Sequence, residues 1–355
     1  MAIVLNRLPQ WPSDWDTLIQ SYPGKTLFHE TCWFDHVRDI HPSARFELHE
    51  ILRDGQRIGY FPSVRLRKMM LTILGSPLPG TGTNYGGPLL MEREAVPEVM
   101  AAIQRHCRRT WVSQLEMTYP WLDGLNAREL GLEDHRDVTH VVPIPADEST
   151  AWSALKSTCR NRARKAEKAG LVCEITDDPS VADHFHEQYI EVYAKQGLGI
   201  PFGIERGRSL FRRLLPAGRV LPMWVRKGDT VMAAGLFPCD QHMIYFWGAA
   251  SWMKYQHLCP NELMHWTVIK EAVARGIGAY NMCGGHSQFK DKFGGSDVPY
   301  VRYSRGLIPG LSTARRAYFW LYWQKKRLSG LLRPTVARPT PAAVEPAGAG
   351  QESGE

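Results

Sequence analysis

Several polar side chains that could take part in group transfer lie close together in the stretch 248–295. The apolar run 243–250 predicts a buried strand, the residues from 261 to 276 predict a helix, and 279–283 predict a second strand. A strand, a helix and a strand of these lengths form a crossover unit with two parallel strands. Ligand sites in such sheets lie beyond the carboxyl ends of the strands. The side chains expected there are Ser251, Lys254, Tyr255, Asn261, Glu262, Cys283, His286 and Lys290.

Three of these residues have a structural explanation beside a chemical one. Glu262 is expected in the first turn of the helix, where the helix dipole favours a carboxylate, and a catalytic base is the alternative. Asn261 suits the N-cap position or a substrate contact. Cys283 stands before two glycines, where a small buried apolar role is more common than a nucleophile. The sequence shows no catalytic triad.

Five further residues of this stretch are candidates for the site: two lysines, a tyrosine and two histidines. Lys290 and Lys292 either stabilise negative charge or bind phosphates of a donor, or are surface lysines. Tyr255 and His257 are expected in the loop after the first strand, within reach of a substrate. His286 follows two glycines and is expected in an exposed loop, where it would contact the substrate or act in acid–base chemistry.

A basic helix is predicted over 151–169. Arg160, Arg164 and Lys168 recur at a spacing of four and therefore share one face. This face is either solvated or binds phosphates of an acceptor or of RNA. Because no aromatic residues are interleaved, sequence-specific reading of RNA is not expected.

The segment 76–88 is rich in glycine and proline and is predicted to be a loop. It lacks the Gly-Lys-Ser/Thr ending of a phosphate-binding P-loop. We expect a turn that lines a cleft, with Tyr85 as its contact residue.

Length and composition limit which class of protein this is. The chain has 355 residues, which is enough for two domains, and 44% of its residues are hydrophobic, which is enough to form a core. The formal charge of +7 favours an anionic partner: a phosphate-bearing cofactor, RNA or the inner membrane surface. Seven scattered cysteines without a C-x-x-C pair argue against a disulfide framework and a zinc site, so no metal is expected.

No apolar run approaches the roughly 20 residues of a membrane helix, and no signal peptide is apparent. A cytoplasmic protein is predicted.

The two halves of the chain repeat one order of elements: helix, hairpin, third strand, helix, strand. Asp54-Gly55 and Gly228-Asp229 predict the turns of the two hairpins. We therefore expect mixed α/β domains at residues 1–147 and 148–310.

Two further segments are expected after the second domain. Residues 311–333 predict a basic, aromatic helix that either lies on an anionic membrane or packs on the protein. Residues 334–355 are rich in proline, alanine and glycine and are predicted to be disordered.

The second half resembles the FemAB-like branch of the GNAT acyltransferase superfamily, which includes CelD-like proteins. Three pieces carry the resemblance: the basic helix 160–170, the stretch 248–266, and 276–285 running into Phe289-Lys-Asp-Lys-Phe-Gly294. They span roughly residues 155 to 300. The first half matches in outline only.

The resemblance implies a tandem GNAT fold, and a donor that is either an acyl-CoA or an aminoacyl-tRNA. It also implies that Lys290, the lysine of the F-K-x-x-F-G motif, lies near the acyl-transfer centre. The long paired helical arm that some members insert in their second domain is absent here, which leaves tRNA handling of that type in doubt.

The prediction is an acyltransferase that acts on an amine of a cell-envelope precursor or another small acceptor. The predicted catalytic residues are Lys290, Glu262 and Tyr255, and the predicted substrate-binding residues are Tyr85, His257, Asn261, His286, Lys292, Arg160 and Arg164. The expected partner is a small-molecule acceptor or a glycan or peptide precursor, and tRNA and peripheral contact with the inner membrane through 311–333 are further candidates. The alternative is a non-catalytic scaffold protein of exopolysaccharide assembly.

Overall fold

The computed structural model describes residues 3–68, 70–195, 197–200, 202–285, 287–311, 313 and 317. Up to Ile308 these residues form one compact unit. The strands are β1 Ile3–Arg7, β2 Arg45–Arg53, β3 Gln56–Lys68, β4 Leu71–Ser76, β5 Leu89–Leu90, β6 Gln114–Met117, β7 Glu133–Pro143, β8 Val172–Ile175, β9 Val220–Lys227, β10 Thr230–Pro238, β11 Met243–Tyr245, β12 Gly248–Ser251, β13 Ala279–Gly284 and β14 Ser296–Gly306. The helices are α1 Trp15–Leu18, α2 Thr31–Ile40, α3 Val96–Arg109, α4 Glu148–Ala154, α5 Ser157–Lys168, α6 Ser180–Lys195, α7 Glu205–Leu214, α8 Pro260–Ala274 and α9 Gln288–Asp291.

The strands form two sheets. The larger sheet has the order β1-β2-β3-β4-β6-β14-β7-β13-β11, with β5 beside β3, and the smaller has the order β12-β10-β9-β8. This confirms the predicted mixed α/β class. Strand β7, from the first half of the chain, pairs with β13 and β14 from the second. The two halves therefore share the larger sheet, while the predicted boundary at residue 147 stays a prediction.

Local sequence signals explain the hairpins and the crossover. Asp54 and Gly55 adopt φ of 50° and 83°, which suits the tight turn between β2 and β3. Gly228, with φ of 56°, turns β9 into β10. The predicted parallel pair is confirmed, since β11 and β13 run parallel with α8 between them in sequence.

Helix α8 is largely buried because it lies between elements of both sheets. It packs against β8, β9, β10 and β12 of the smaller sheet and against β13 of the larger. The residues from Leu263 to Ile269 are all buried, including the polar His265 and Thr267, so the helix has no solvent-facing side over this stretch. A helix of this kind fixes how the two sheets meet.

Two predicted elements were wrong. The helix predicted over 151–169 is two helices, because Leu155 is extended and the Lys156 N–H donates to the Lys292 carbonyl at 3.0 Å. The strand predicted over 243–250 is divided between the two sheets.

The predicted helix over 311–333 and the tail 334–355 lie outside the described residues, apart from 311, 313 and 317. Within the described part of the chain, no helix is long and apolar enough to cross a bilayer.

Candidate active site

The division of the apolar run 243–250 opens a cleft. Strand β11 ends at Tyr245 beside β13, and β12 begins at Gly248 beside β10. Between them the Phe246 N–H still donates to the Asn281 carbonyl at 2.8 Å, and the chain then leaves the larger sheet. The cleft has a volume of about 150 Å³, which is smaller than the roughly 300 to 1,000 Å³ typical of small-molecule sites. It is lined by Phe28, Trp33, Gly82, Asn84, Phe202, Arg206, Pro238, Tyr245, Phe246, Trp247 and Cys283.

The glycine-rich loop 76–88 forms one wall of this cleft, as Gly82 and Asn84 show. Tyr85 lies behind it and is largely buried. Its hydroxyl accepts a hydrogen bond from Asn281 Nδ2 at 3.1 Å, and its ring packs against Tyr300. Burial raises the pKa of Tyr85, so the hydroxyl stays neutral. Tyr85 therefore joins the loop to the end of β13.

Asn281 is the centre of a buried polar network at this wall. Its Oδ1 accepts from Thr139 Oγ1 at 2.6 Å and from the Cys283 N–H at 2.8 Å. With the bond to Tyr85, Asn281 links the loop, β7 and β13. Such a fully bonded buried network holds its members in one arrangement.

Asn84 presents an amide to the cleft. Its side-chain Nδ2 lies 3.1 Å from Cys283 Sγ, and its backbone carbonyl accepts from the Tyr300 hydroxyl at 2.9 Å. Sulfur is a weak acceptor. An oxygen that entered the cleft would therefore be a better partner for the Asn84 amide.

Arg206 is the cation of the cleft. Its guanidinium lies over the rings of Phe202 and Trp247, at 4.8 Å and 5.6 Å from their centroids. Nη2 donates to the Gly80 carbonyl at 3.3 Å, whereas Nε is buried and has no partner among the described residues. Burial lowers the pKa of Arg206, but arginine remains charged. A half-buried cation without a described carboxylate partner is suited to bind an anion.

Cys283 lines the cleft, but its environment opposes a nucleophilic role. Burial raises the pKa of its thiol to about 11. The thiolate is the reactive form of cysteine. The thiol is therefore expected to be unreactive near neutral pH.

Lys290 lies behind the cleft wall rather than in it. It is 8% exposed, and Nζ donates to the carbonyls of Cys283, Gly284 and Gly285 at 2.7, 2.6 and 2.8 Å. Burial lowers the pKa of Lys290. Its three N–H groups hold the end of β13, where Cys283 has the left-handed φ of 58°.

Glu262 and Lys292 form a buried ion cluster. Glu262 Oε1 accepts from Lys292 Nζ at 2.6 Å and from Arg162 Nη1 at 2.9 Å. Burial by itself would raise the pKa of Glu262, but the hydrogen bonds from Lys292 and Arg162 outweigh it and lower that pKa. The carboxylate ties α8 to α5, and it is a weak base.

The other predicted site residues do not reach the cleft lining. Tyr255 packs against the core and His257 is exposed, both in a 3-10 helix before α8. Asn261 lies in the first turn of α8, where its Oδ1 is buried without a partner among the described residues. Arg160 donates to the Leu155 carbonyl, and Arg164 lies over the Trp152 ring. His286 is outside the described residues.

One group of potential metal ligands occurs in the described residues, away from this cleft. Glu47, His49 and His106 place ligand atoms within 4.8 Å of one another. Both Glu47 oxygens, however, already accept hydrogen bonds from Arg65. Burial is the main cause that lowers the pKa values of both histidines. The Arg65 charge beside Glu47 opposes binding of a divalent cation.

Comparisons with known proteins agree with this architecture. Residues 153–291 match the acetyltransferase (GNAT) domain family. A crystal structure of FemX is similar with a TM-score of 0.69 at 13% identity, covering 87% of this chain and 99% of that one. A tandem GNAT protein from the clavulanic acid biosynthesis pathway gives 0.54 at 8% identity, covering 86% of this chain and 99% of that one.

L-PGS from Bacillus licheniformis is also similar, with a TM-score of 0.53 at 11% identity over 87% of this chain and 96% of that one. At these identities the structures establish the fold alone. No curated protein matches the sequence significantly. The domain match confirms the resemblance seen in the sequence: residues 153–291 match the acetyltransferase (GNAT) domain family, and the fold is similar to that of FemX.

Proposed function

We propose that this protein transfers an acyl or aminoacyl group to an amine in the cleft between β11, β12 and β13. The observation that carries this proposal is the parting of β11 from β12, which opens a cleft with Asn84 and Arg206 on its walls. The GNAT domain match supports the reaction class. The donor would be an acyl-CoA or an aminoacyl-tRNA, and the acceptor an amine of a cell-envelope precursor.

In this reaction the amine nitrogen attacks the carbonyl carbon of the donor. The new C–N bond forms, the C–S bond of a thioester or the C–O bond of an ester breaks, and an amine proton passes to the leaving sulfur or oxygen. Such transfer needs a neutral amine and stabilisation of the oxygen that becomes negative. Holding the reactants in the right geometry supplies much of the remaining acceleration.

Asn84 is proposed to stabilise this oxygen. Its amide faces the cleft, and among the described residues the Cys283 sulfur is its side-chain partner there. A donor carbonyl that displaced the sulfur contact would gain a stronger hydrogen bond as its charge developed. Asn281 and Lys290 hold Cys283 and the end of β13 in place and are therefore positioning residues.

Arg206 is proposed to bind an anionic group of the donor or the acceptor. Carboxylates and phosphates are bound by arginine with two parallel hydrogen bonds. The face of the guanidinium is held by Phe202 and Trp247, so its edge is left for an anion.

The first test is donor binding, measured as the change in melting temperature with a CoA thioester or an aminoacyl-tRNA. A ligand that binds only the native state raises this temperature. We expect one of the two donors to do so, and then to label an amine-bearing envelope precursor, detected as a mass increase of one acyl group. If neither donor stabilises the protein and no precursor gains mass, the enzyme proposal is wrong and the scaffold alternative is favoured.

A further inference from the structure

The end of the larger sheet where β4 and β6 begin carries a group of exposed apolar side chains. Met70 is 92% exposed and Trp111 87%, and Leu71 and Ile308 are exposed as well. Ten large apolar side chains are exposed among the described residues, and four of them are these. We call Met70, Leu71, Trp111 and Ile308 the apolar tip.

Backbone hydrogen bonds bring the three segments of the apolar tip together. The Ser113 N–H donates to the Thr72 carbonyl at 2.8 Å, and the Leu307 N–H donates to the Ser113 carbonyl at 2.9 Å. Thr72 follows Met70 and Leu71, Ser113 follows Trp111, and Ile308 follows Leu307. The four apolar side chains therefore lie at one corner of the protein although they are up to 238 positions apart in sequence (70 to 308).

Both the backbone conformation and the exposure of Trp111 are energetically unfavourable. Its φ is 55°, which is an outlier conformation for a bulky residue. Its ring is also almost entirely exposed. An exposed ring does not stabilise the isolated protein. A partner that covers the ring would be bound more tightly because apolar surface is removed from water.

Basic residues surround the apolar tip. The segments 65–73, 105–114 and 305–311 contain no aspartate or glutamate. Their cations are Arg65, Arg67, Lys68, Arg105, Arg108, Arg109 and Arg305. Of these, Arg65 is bound to Glu47, Arg305 to Gln104, and the exposed Arg105 to the Ile3 carbonyl. Arg67, Lys68, Arg108 and Arg109 are exposed.

The course of the chain adds a second indication at this corner. The compact unit ends at Ile308. The sequence then continues into the basic, aromatic segment 311–333, which includes Trp320 and Trp323. The apolar tip is thus followed directly by a stretch of the same character.

We propose that the apolar tip docks on the surface of an anionic phospholipid bilayer. Exposed tryptophan and methionine would enter the headgroup region, and the four exposed cations would bind lipid phosphates. Basic residues close to a bilayer are attracted by the negative surface potential of anionic lipids. The amine acceptor would then be reached by a protein held at the membrane surface.

The test measures cosedimentation of the full chain with vesicles of phosphatidylcholine and phosphatidylglycerol, and with vesicles of phosphatidylcholine alone. We expect binding to the anionic vesicles only, weakened by salt. The double variant Met70→Ser/Trp111→Asn should bind about tenfold more weakly, because the inserted apolar area is lost. Its melting temperature should not fall, since both side chains are exposed and asparagine tolerates a positive φ.

The matched control is Val172→Ser/Ile175→Ser, which removes two exposed apolar side chains of β8 in the smaller sheet. This variant should bind like the wild type. The proposal is overturned if the wild type binds neither kind of vesicle, or if Met70→Ser/Trp111→Asn binds as tightly as the wild type. Binding that responds only to charge reversal at Arg108 and Arg109 would also overturn it, because it would indicate a general polyanion face such as one for RNA.

Discussion

The ammonium nitrogen of Lys290 lies 2.7 Å from the carbonyl oxygen of Cys283. Its other two hydrogens are matched by the carbonyls of Gly284 and Gly285. All three donors are thus used by the backbone that ends β13. In this arrangement Lys290 holds the backbone at the wall of the cleft, and its place near the acyl-transfer centre, which the family resemblance implies, stays a prediction.

Replacing Lys290 by methionine should therefore weaken the fold as well as the reaction. Three carbonyls would lose a charged donor, and the free energy of unfolding should fall by about 3 kcal/mol. Denaturant titration measures this change. The exposed Lys227→Met change should cost no more than about 0.5 kcal/mol. A Lys290→Met protein with unchanged stability and no transfer would instead indicate a catalytic lysine.

Replacing Asn84 by alanine should slow the chemical step. If its amide stabilises the developing oxyanion, kcat should fall about 100-fold while KM changes little. Steady-state kinetics with the established donor separate the two effects. Asn126, which bonds Glu129 on the surface, provides the matched alanine control. Equal kcat values for Asn84→Ala and the wild type would exclude Asn84 from this role.

Replacing Arg206 by glutamine should weaken binding of the anionic substrate. We expect its KM to rise at least about tenfold, because an ionic, bidentate contact would be lost. Arg206→Lys should recover only part of the affinity, since lysine cannot keep the stacked planar geometry. The control is Arg208→Gln on the same helix, which breaks exposed ion pairs with Asp183 and Glu205 and should leave KM unchanged. An equal rise in KM for both variants would point to a general charge effect.

Glu262 should make stability depend on pH in the acidic range. Its pKa in the folded protein lies below the ordinary value of 4.5. The stabilisation by its charged form is therefore complete above that value and is lost as the pH falls through the lower, folded pKa. At neutral pH, Glu262→Gln should cost about 3 kcal/mol, because the buried Lys292 loses its partner.

Unfolding experiments from neutral to acidic pH test this dependence. The difference between wild type and Glu262→Gln should be constant above pH 4.5 and shrink below it. Glu187→Gln, on the exposed face of α6, should show no such difference. A Glu262→Gln protein as stable as the wild type at neutral pH would contradict the ion cluster.

The parts of the fold that could be predicted are those specified by neighbouring residues. The turns at Asp54-Gly55 and Gly228-Asp229 and the crossover that ends in β13 depend on short-range geometry, and all were found as predicted. The division between β11 and β12 could not be seen, because Met243 to Ala250 is apolar throughout and gives no sign of where one sheet ends.

The cleft is harder to predict because its walls come from distant parts of the chain. Asn84 and Cys283 are 199 positions apart, and no local pattern joins them. The sequence predicts that the glycine-rich loop of Tyr85 lines a cleft, and that loop does line it. Arg206 carries no signal in the sequence, because its role depends on which acidic residues lie near it in the fold. Glu262 and Lys292 are predicted site residues, but the fold pairs them with each other.

The central claim is that acyl transfer takes place in the cleft between β11, β12 and β13. The most direct test of this claim is the rate of product formation by the double variant Asn84→Ala/Arg206→Gln. Mass spectrometry of an amine acceptor, with the donor that stabilises the protein, measures this rate. The account predicts acylation by the wild type and about 1% of that rate or less for the variant, at an unchanged melting temperature. A double variant that acylates the acceptor as fast as the wild type would contradict it.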